Sequence, residues 1–174
     1  MLTETQTREL AELLDKQKLY ENLMLYCRGQ DRKELDQMKS SFWPEATDDH
    51  GAFVGNAHEF CELSFKGHKA SGHSSLHHCT NVLIEIDGDQ ARRESAFIFS
   101  MTHFRERSRT LFLAGRYKDL CEKRGEEWRV LRRVCIFEWT HELEGGRDFA
   151  GLFNFPPTMK IAAVHPEDPI YATW

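Results

Sequence analysis

Nine histidines are scattered along the chain: His50, His58, His68, His73, His77, His78, His103, His141 and His165. A neutral imidazole is a base near pH ~7, and a carboxylate bonded to one ring nitrogen fixes which nitrogen keeps the free lone pair. The carboxylate also stabilises the imidazolium formed when a proton is taken. Such a pair can remove a weakly acidic proton and later return it, acid–base help worth ~10²–10⁴-fold. His50 follows Asp48-Asp49 and reads either as a polar substrate contact or as a solvated turn residue. His77 and His78 are adjacent, so alternation along a strand sends them to opposite faces. His73 and His77 share strand parity and suggest a metal shared with His50 or His103, but no carboxylate–histidine spacing supports it, and none is expected. No phosphate-binding loop, dinucleotide fingerprint, Gly-x-Ser-x-Gly elbow or His-Glu-x-x-His helix occurs.

The elements that must position these residues follow from apolar spacing. From Thr5 to about Cys27, Leu10, Leu13, Leu14, Leu19, Leu23 and Tyr26 recur every third or fourth residue, the stripe of an amphipathic helix, with Gly29 just past its end. Asp31 then reads as the N-cap of a second helix carrying Leu35, Met38 and Phe42 and stopped by Trp43-Pro44. ATDDHGAFVG reads as a strand and tight turn. Asn56 caps a third helix, with Glu59 at the capping-box position, that fades at Gly67. Beyond it the pattern becomes a meander: a strand ending in the hairpin turn Asp87-Gly88, its return, a third strand, a turn at Arg124-Gly125-Glu126 and a last long strand. The tail from Glu144 to Trp174 holds four of the five prolines and is too irregular for a core element. Helices followed by an antiparallel meander imply an α+β domain.

Composition narrows the function classes. The 174 residues fit one domain. Apolar residues at 40%, aromatics at 11% and twelve phenylalanines supply a core or a greasy cavity and exclude a disordered chain. The net charge of −5, without a basic block, argues against nucleic-acid binding. No apolar run approaches ~18 residues and no basic start precedes an apolar stretch, so neither a membrane span nor a secretory signal is expected. The cysteines Cys27, Cys61, Cys79, Cys121 and Cys135 are odd in number and lack a Cys-x-x-Cys pair. They form neither a disulfide framework nor a zinc knuckle, and a reducing cytoplasm with buried or inert thiols is the simplest reading.

Three motifs carry a resemblance. Tyr-Cys-Arg-x-x-Asp lies in LYENLMLYCRGQDRKELDQMKSSFWPEATDDHGAFVG. His-x-x-x-Asn opens the hairpin in LHHCTNVLIEIDGD. Gly-Arg-Tyr followed by Gly-x-x-Trp-Arg lies in GRYKDLCEKRGEEWRVLRRVCIFEW. In this order, from roughly Thr7 to Glu142, the chain resembles the SnoaL-like branch of the nuclear-transport-factor-two-like superfamily. The resemblance implies a cone-shaped α+β barrel, three N-terminal helices packed on a strongly curved, mostly antiparallel sheet, over residues 1–143. Residues 144–174 would then form a tail acting as a lid or an oligomer contact. The scaffold hosts many activities and some non-catalytic subunits, so it does not fix function.

Among such relatives, scytalone dehydratase and hexachlorocyclohexane dehydrochlorinase share a cavity Asp–His pair, whose positions fall on Asp31 and His77. A second catalytic histidine of the dehydratase falls on His103. The two tyrosines with which the dehydratase holds the substrate carbonyl fall on Gln30 and His50, a departure that puts the dehydratase's own substrate in doubt. Parity with Val82, Ile84 and Ile86 favours His78 as the inward residue, whereas the family register favours His77; a bulge would reconcile them. The expected walls are Tyr26, Phe42, Phe53, Phe97, Phe99, Tyr117 and Trp139. The resemblance thus implies a cofactor-independent lyase with Asp31, His77 and His103 as catalytic residues. His50, Tyr26, Phe53, Phe99, Tyr117 and Trp139 would contact a small hydrophobic, aromatic or polyketide-like substrate. A homodimer or homotrimer is expected on the same ground. An isomerase or cyclase, and the small subunit of a ring-hydroxylating dioxygenase, are the alternatives.

Overall fold

The first helix, α1 (Glu4–Arg32), begins at a reciprocal cap: the Thr3 hydroxyl accepts the Gln6 N–H and the Gln6 side chain accepts the Thr3 N–H. The computed structural model describes residues 1–71, 73–103, 109–144, 158, 160, 162–163 and 165–172, the side chains of residues 70, 71, 73 and 103 excepted. Helix α1 runs past Cys27 and takes Gly29 into its last turns. Gly29 is there for packing: a Cβ would lie 2.9 Å from both the Cγ and the backbone N of Met38. Its absence lets α2 (Leu35–Ser40) fold back against α1. The stop is Lys33, at φ 61°, with its N–H on the Gly29 carbonyl. Asp31 therefore sits in the last turn of α1 and is not the cap of α2; Glu34 holds that place without a capping side-chain bond.

Trp43-Pro44 does not close a helix but lies in strand β1 (Phe42–Asp49), which also takes Phe42. Pro44 is tolerated because the pairing of β1 breaks there, Phe42 opposing Val130 and Thr47 opposing Arg132. Strand β2 (Val54–Asn56) leads into α3 (Ala57–Ser71). The Asn56 carbonyl oxygen of the side chain accepts from the His58 and Glu59 N–H groups at 2.9 and 3.3 Å. This helix passes through Gly67 without fading.

The meander is β3 (His73–Asp87), β4 (Gln90–His103), β5 (Arg109–Arg124) and β6 (Glu127–Glu144). The six-stranded sheet has the order β2-β1-β6-β5-β4-β3, antiparallel except for the parallel β1–β6 seam. Register shifts at Thr80/Leu83, Ala114/Gly115 and Leu120/Cys121 bend these long strands. At Gly115 a Cβ would stand 2.3 Å from the Ile136 carbonyl oxygen, so no other residue fits.

The protein is thus α+β, with three helices packed on a curved, mostly antiparallel sheet. Leu19, Leu23 and Tyr26 of α1 meet Met38, Phe42, Phe97, Tyr117, Cys121 and Val130 in one core. The stripe on α1 is buried only in its second half. The helix, 29 residues and so ~44 Å long, leaves Leu10, Leu13 and Leu14 of its first half exposed. The described part of the tail packs on the end of α1: the His165 N–H donates to the Arg32 carbonyl at 3.0 Å and the Tyr171 hydroxyl bonds Glu34. Residues 145–157, part of the proposed lid or oligomer contact, lie outside the described residues. Among the described residues, no helix is long and apolar enough to cross a membrane.

Candidate active site

The last turn of α1 faces the first half of β3, and the two elements meet through one carboxylate. Asp31 Oδ2 accepts the His77 backbone N–H at 2.8 Å, and Oδ1 lies 2.7 Å from His77 Nδ1. The two side chains are 10% and 8% exposed. A carboxylate on Nδ1 assigns that nitrogen the proton and leaves the lone pair on Nε2. The second bond, to the backbone of the same residue, fixes the carboxylate against the strand as well as the ring. His77 lines a cavity of about 140 Å³, and its ring centroid is 4.6 Å from that of Phe99.

The choice between His77 and His78 is made by a bulge. Ser75, His77 and Cys79 face inward, and so do Val82, Ile84 and Ile86. One change of phase separates the two sets, at the Thr80/Leu83 register shift, where Asn81 has φ 48°. His78 is exposed.

His50, just beyond β1, stands on another wall of the same cavity. It is not a solvated turn residue. Its Nδ1 is held in a short bond by Asp48 Oδ1, and its ring stacks on Phe60 with centroids 3.9 Å apart. Asp48 is 1% exposed, and its Oδ2 has no partner among the described residues. Two of the imidazoles on the cavity wall, His50 and His77, therefore have Nδ1 engaged by an enclosed carboxylate.

Tyr26, Phe97, Phe99 and Tyr117 also line the cavity. Burial pushes the Tyr26 and Tyr117 hydroxyls well above their usual range, so both stay neutral. Phe42 stands behind, edge-on to Tyr26 with centroids 5.4 Å apart, and Phe53 packs on Phe60 outside the lining. Trp139 corrects the sequence expectation: it lies outside the lining. The Ala114/Gly115 register shift pairs Trp139 with Ala114 and Phe137 with Gly115. Phe137 thereby takes the inward position. The backbone of His103 pairs with His73 at the end of β4; both side chains lie outside the description.

Sequence reasoning missed Phe60, Ser64 and His68, which line the cavity from α3. Their spacing of four, one helical face, was the available signal. It also missed Lys33, 6% exposed, whose Nζ donates to the Gln30 carbonyl at 3.0 Å and Ser75 Oγ at 2.8 Å and lies 3.0 Å from His68 Nδ1. An ammonium only donates, so His68 Nδ1 accepts this bond. Burial pulls the Lys33 amine down to about 8, against the opposing pull of Asp31.

That depression makes stability depend on pH. Between about pH 8 and the ordinary value of 10.5 the unfolded chain holds a proton the folded chain has released. Stability from this group therefore rises with pH across that window, by an amount of order 3 kcal/mol. Lys33→Met is expected to abolish that rise relative to the parent protein. Urea unfolding of both at pH about 7 and about 10 checks it, and parallel pH dependences would contradict it.

Beneath the aromatic wall lies a charged cluster with almost no exposure. Asp119 receives Arg93 Nε and Nη2 at 3.0 and 2.7 Å and Arg133 Nε and Nη2 at 2.8 and 2.9 Å. Burial alone would raise the Asp119 carboxyl, but the Arg133 and Arg93 guanidiniums outweigh it and hold it below the usual range. The Arg133 guanidinium carbon lies 4.2 Å from the Tyr117 ring centroid and 4.3 Å from that of Tyr26. Arg116, by contrast, makes an exposed pair with Glu138 at 2.7 Å.

Comparison with known proteins accords with this architecture. The SnoaL-like domain family matches residues 11–134. An uncharacterised protein of Mycobacterium tuberculosis is 24% identical over 127 residues, 72% of this chain and 86% of that protein. Among solved structures, a Novosphingobium aromaticivorans protein provisionally named a scytalone dehydratase superposes with a TM-score of 0.68 at 17% identity, covering 75% of this chain and 88% of that one. A type 2 hexachlorocyclohexane dehydrochlorinase gives 0.67 at 19% identity, covering 87% and 97%. The beta subunit of a provisionally assigned aromatic-ring-hydroxylating dioxygenase, also from N. aromaticivorans, gives 0.62 at 17%, covering 74% and 92%. At these identities the structural likenesses establish the fold alone.

Proposed function

Because the chain belongs to the SnoaL-like domain family, a scaffold that hosts both enzymes and subunits, we propose that it is a cofactor-independent lyase with His77 as its base. The observation that carries this is the pair of hydrogen bonds that the Asp31 carboxylate accepts from the ring and backbone of His77, on a cavity wall otherwise rich in aromatic rings. His77 Nε2 takes a proton next to a carbonyl, the freed pair forms a double bond, and a hydroxyl on the adjacent carbon departs as water once protonated. His103 is the acid that the resemblance offers. His50, held by Asp48 on the cavity wall, is a described residue able to serve the same oxygen when protonated. Deformylating carbon–carbon cleavage is a variant in which His77 starts from a hydroxyl proton.

Cavity size bounds the substrate. An apolar cavity of ~150 Å³ accepts benzene, so about 140 Å³ suits a single ring with one or two oxygens. Phe99 and Tyr117 contact it from the walls, with Tyr26 beside them. Phe53 acts through Phe60, and Trp139 is left for the outer face. A homodimer or homotrimer belongs to the same proposal. The rival subunit reading draws on the likeness to the dioxygenase beta subunit, yet a purely structural subunit has no use for an enclosed Asp–His pair in a cavity.

The test is turnover of β-hydroxy ketones of one-ring size, beginning with β-hydroxycyclohexanone, followed by product mass. Loss of water is expected. Unchanged mass with a rearranged product would favour the isomerase reading, and stable co-purification with a large iron–sulfur subunit would favour the subunit reading. His77→Ala is expected to abolish turnover with an unchanged circular dichroism spectrum; full activity in that variant overturns the assignment.

A further inference from the structure

The five thiols are not equivalent. Burial pushes Cys61 up to about 12, Cys121 to about 11 and Cys135 to about 12, which leaves them almost entirely protonated at neutral pH and slow to react. Cys27 and Cys79 instead face each other, sulfur to sulfur, at 3.3 Å, both as free thiols. Cys27 lies one helical turn before Asp31 on α1, and Cys79 lies two residues after His77 on β3. Residues four apart on a helix and two apart on a strand share a face. The thiol contact is therefore the next rung of the seam that carries the Asp31–His77 bond.

Access to the two sulfurs differs. Cys27 is 4% exposed. Cys79 borders a depression of about 510 Å³ between α1 and β3, walled by Leu13, Lys16, Tyr20, Val82 and Ile84. The electrostatics differ in the same sense. Either thiol can donate across this contact; when Cys27 donates, the bond, with the Arg133 and Arg93 charges, holds Cys79 below the ordinary thiol range against its burial. The same contact and its own burial push Cys27 well above that range. Cys79, half-buried beside the depression, is thus the more readily ionised of the two, and Cys27 stands behind it at contact distance.

We propose that Cys27 and Cys79 form an oxidation site that reacts with a hydroperoxide and closes to an intramolecular disulfide. The Cys79 thiolate attacks the peroxide: an S–O bond forms, the O–O bond breaks, and the departing oxygen leaves as water after taking a proton. The Cys27 sulfur then displaces the second oxygen: the S–S bond forms, the S–O bond breaks, and water leaves with the Cys27 proton. Two electrons pass from the two thiols to one hydrogen peroxide. A small dithiol reverses the change.

Closing the bond shortens the sulfur separation from 3.3 Å to about 2.0 Å at the rung beside His77. This consequence alone rests on the catalytic reading above: a misplacement of about 1 Å in a reacting constellation costs on the order of 10²-fold, so the disulfide form is the less active one.

The experiment treats the native protein with an equivalent of hydrogen peroxide, removes the oxidant, unfolds the chain in guanidinium chloride with iodoacetamide to block every remaining thiol, and reads intact and peptide masses. The expected result is loss of two hydrogens, reversed by dithiothreitol, with Cys27 linked to Cys79 and the other three cysteines alkylated. Cys27→Ser is expected to stop at a Cys79 sulfenic acid trapped by dimedone, and Cys79→Ser to resist the oxidant. The proposal is overturned if the native protein does not react, if Cys79 gains oxygen without cross-linking, or if another pair links. Cross-linking is read without substrate, so its outcome is separate from that of the lyase assignment. If the link forms and turnover does not fall, the oxidation site stands and only its effect on activity is rejected.

Discussion

Replacing Asp31 by asparagine is expected to lower turnover by ~10²–10⁴-fold, the range of general acid–base help, with little change in the fold. The carboxylate now accepts from two donors of one residue, the His77 N–H at 2.8 Å and Nδ1 at 2.7 Å. An asparagine side chain has one oxygen and one NH₂. If the oxygen keeps the backbone N–H, the NH₂ faces Nδ1 and donates to it. Nδ1 then becomes the acceptor, the proton moves to Nε2, and the lone pair leaves the cavity. The loss should fall on kcat at every pH, since the ring is intact but presents the wrong nitrogen. An imidazole ¹⁵N spectrum of the variant reads the tautomer directly. Unchanged kcat would show that Asp31 only ties α1 to β3.

Asp119→Ala carries the largest expected effect on stability. It leaves Arg93 and Arg133, each 1% exposed, without the carboxylate that receives four of their hydrogen bonds. Removing one partner of a buried ion pair costs ~3–5 kcal/mol, and here two like charges are stranded together. Set against a total of about 5–15 kcal/mol for a natural domain, most of the folded population is at stake. Glu138→Ala is the control, because its pair with Arg116 is similarly short at 2.7 Å but about 40% exposed on each side. Exposed pairs contribute ~0–1 kcal/mol. Urea unfolding of both variants checks the contrast; equal losses would refute the argument that burial sets the energy. Replacing Arg93, Asp119 and Arg133 together by apolar residues should be far milder than Asp119→Ala, since no charge is then left unpaired.

The elements were legible where periodicity and turn chemistry agreed. The stripe through Leu19, Leu23 and Tyr26, the Asn56 cap and the turns at Gly88 and Gly125, with φ 59° and 62°, all follow from rules acting over a few residues. What escaped depends on contacts remote in sequence. Gly29 has the look of a helix stop, yet its role is set by Met38. Bulges leave no mark in composition: one added residue reverses the phase, which is why Val82 and His77 share a face and why Phe137, not the expected Trp139, lines the cavity. Arg93, Asp119 and Arg133 occupy inward strand positions where charge is uncommon, and each is interpretable only once the other two are adjacent. The Asp31–His77 pair came from resemblance, because nothing local joins a helix end to a strand start 46 residues later.

The parallel seam between β1 and β6 has a consequence for how the molecule is assembled. Strands β3 to β6 each pair with a neighbour that has just been made, whereas Phe42 must wait for Val130. Closing so long a loop is slow because its entropy is spent before any contact is gained. During synthesis the meander can therefore zip early, while β1, which carries Asp48 and leads to His50, is fastened at the end. An emerging chain carries an open gutter with His77 on one bank. The gutter is walled on the far side only when the last hairpin of the meander, β5–β6, has cleared the ribosome.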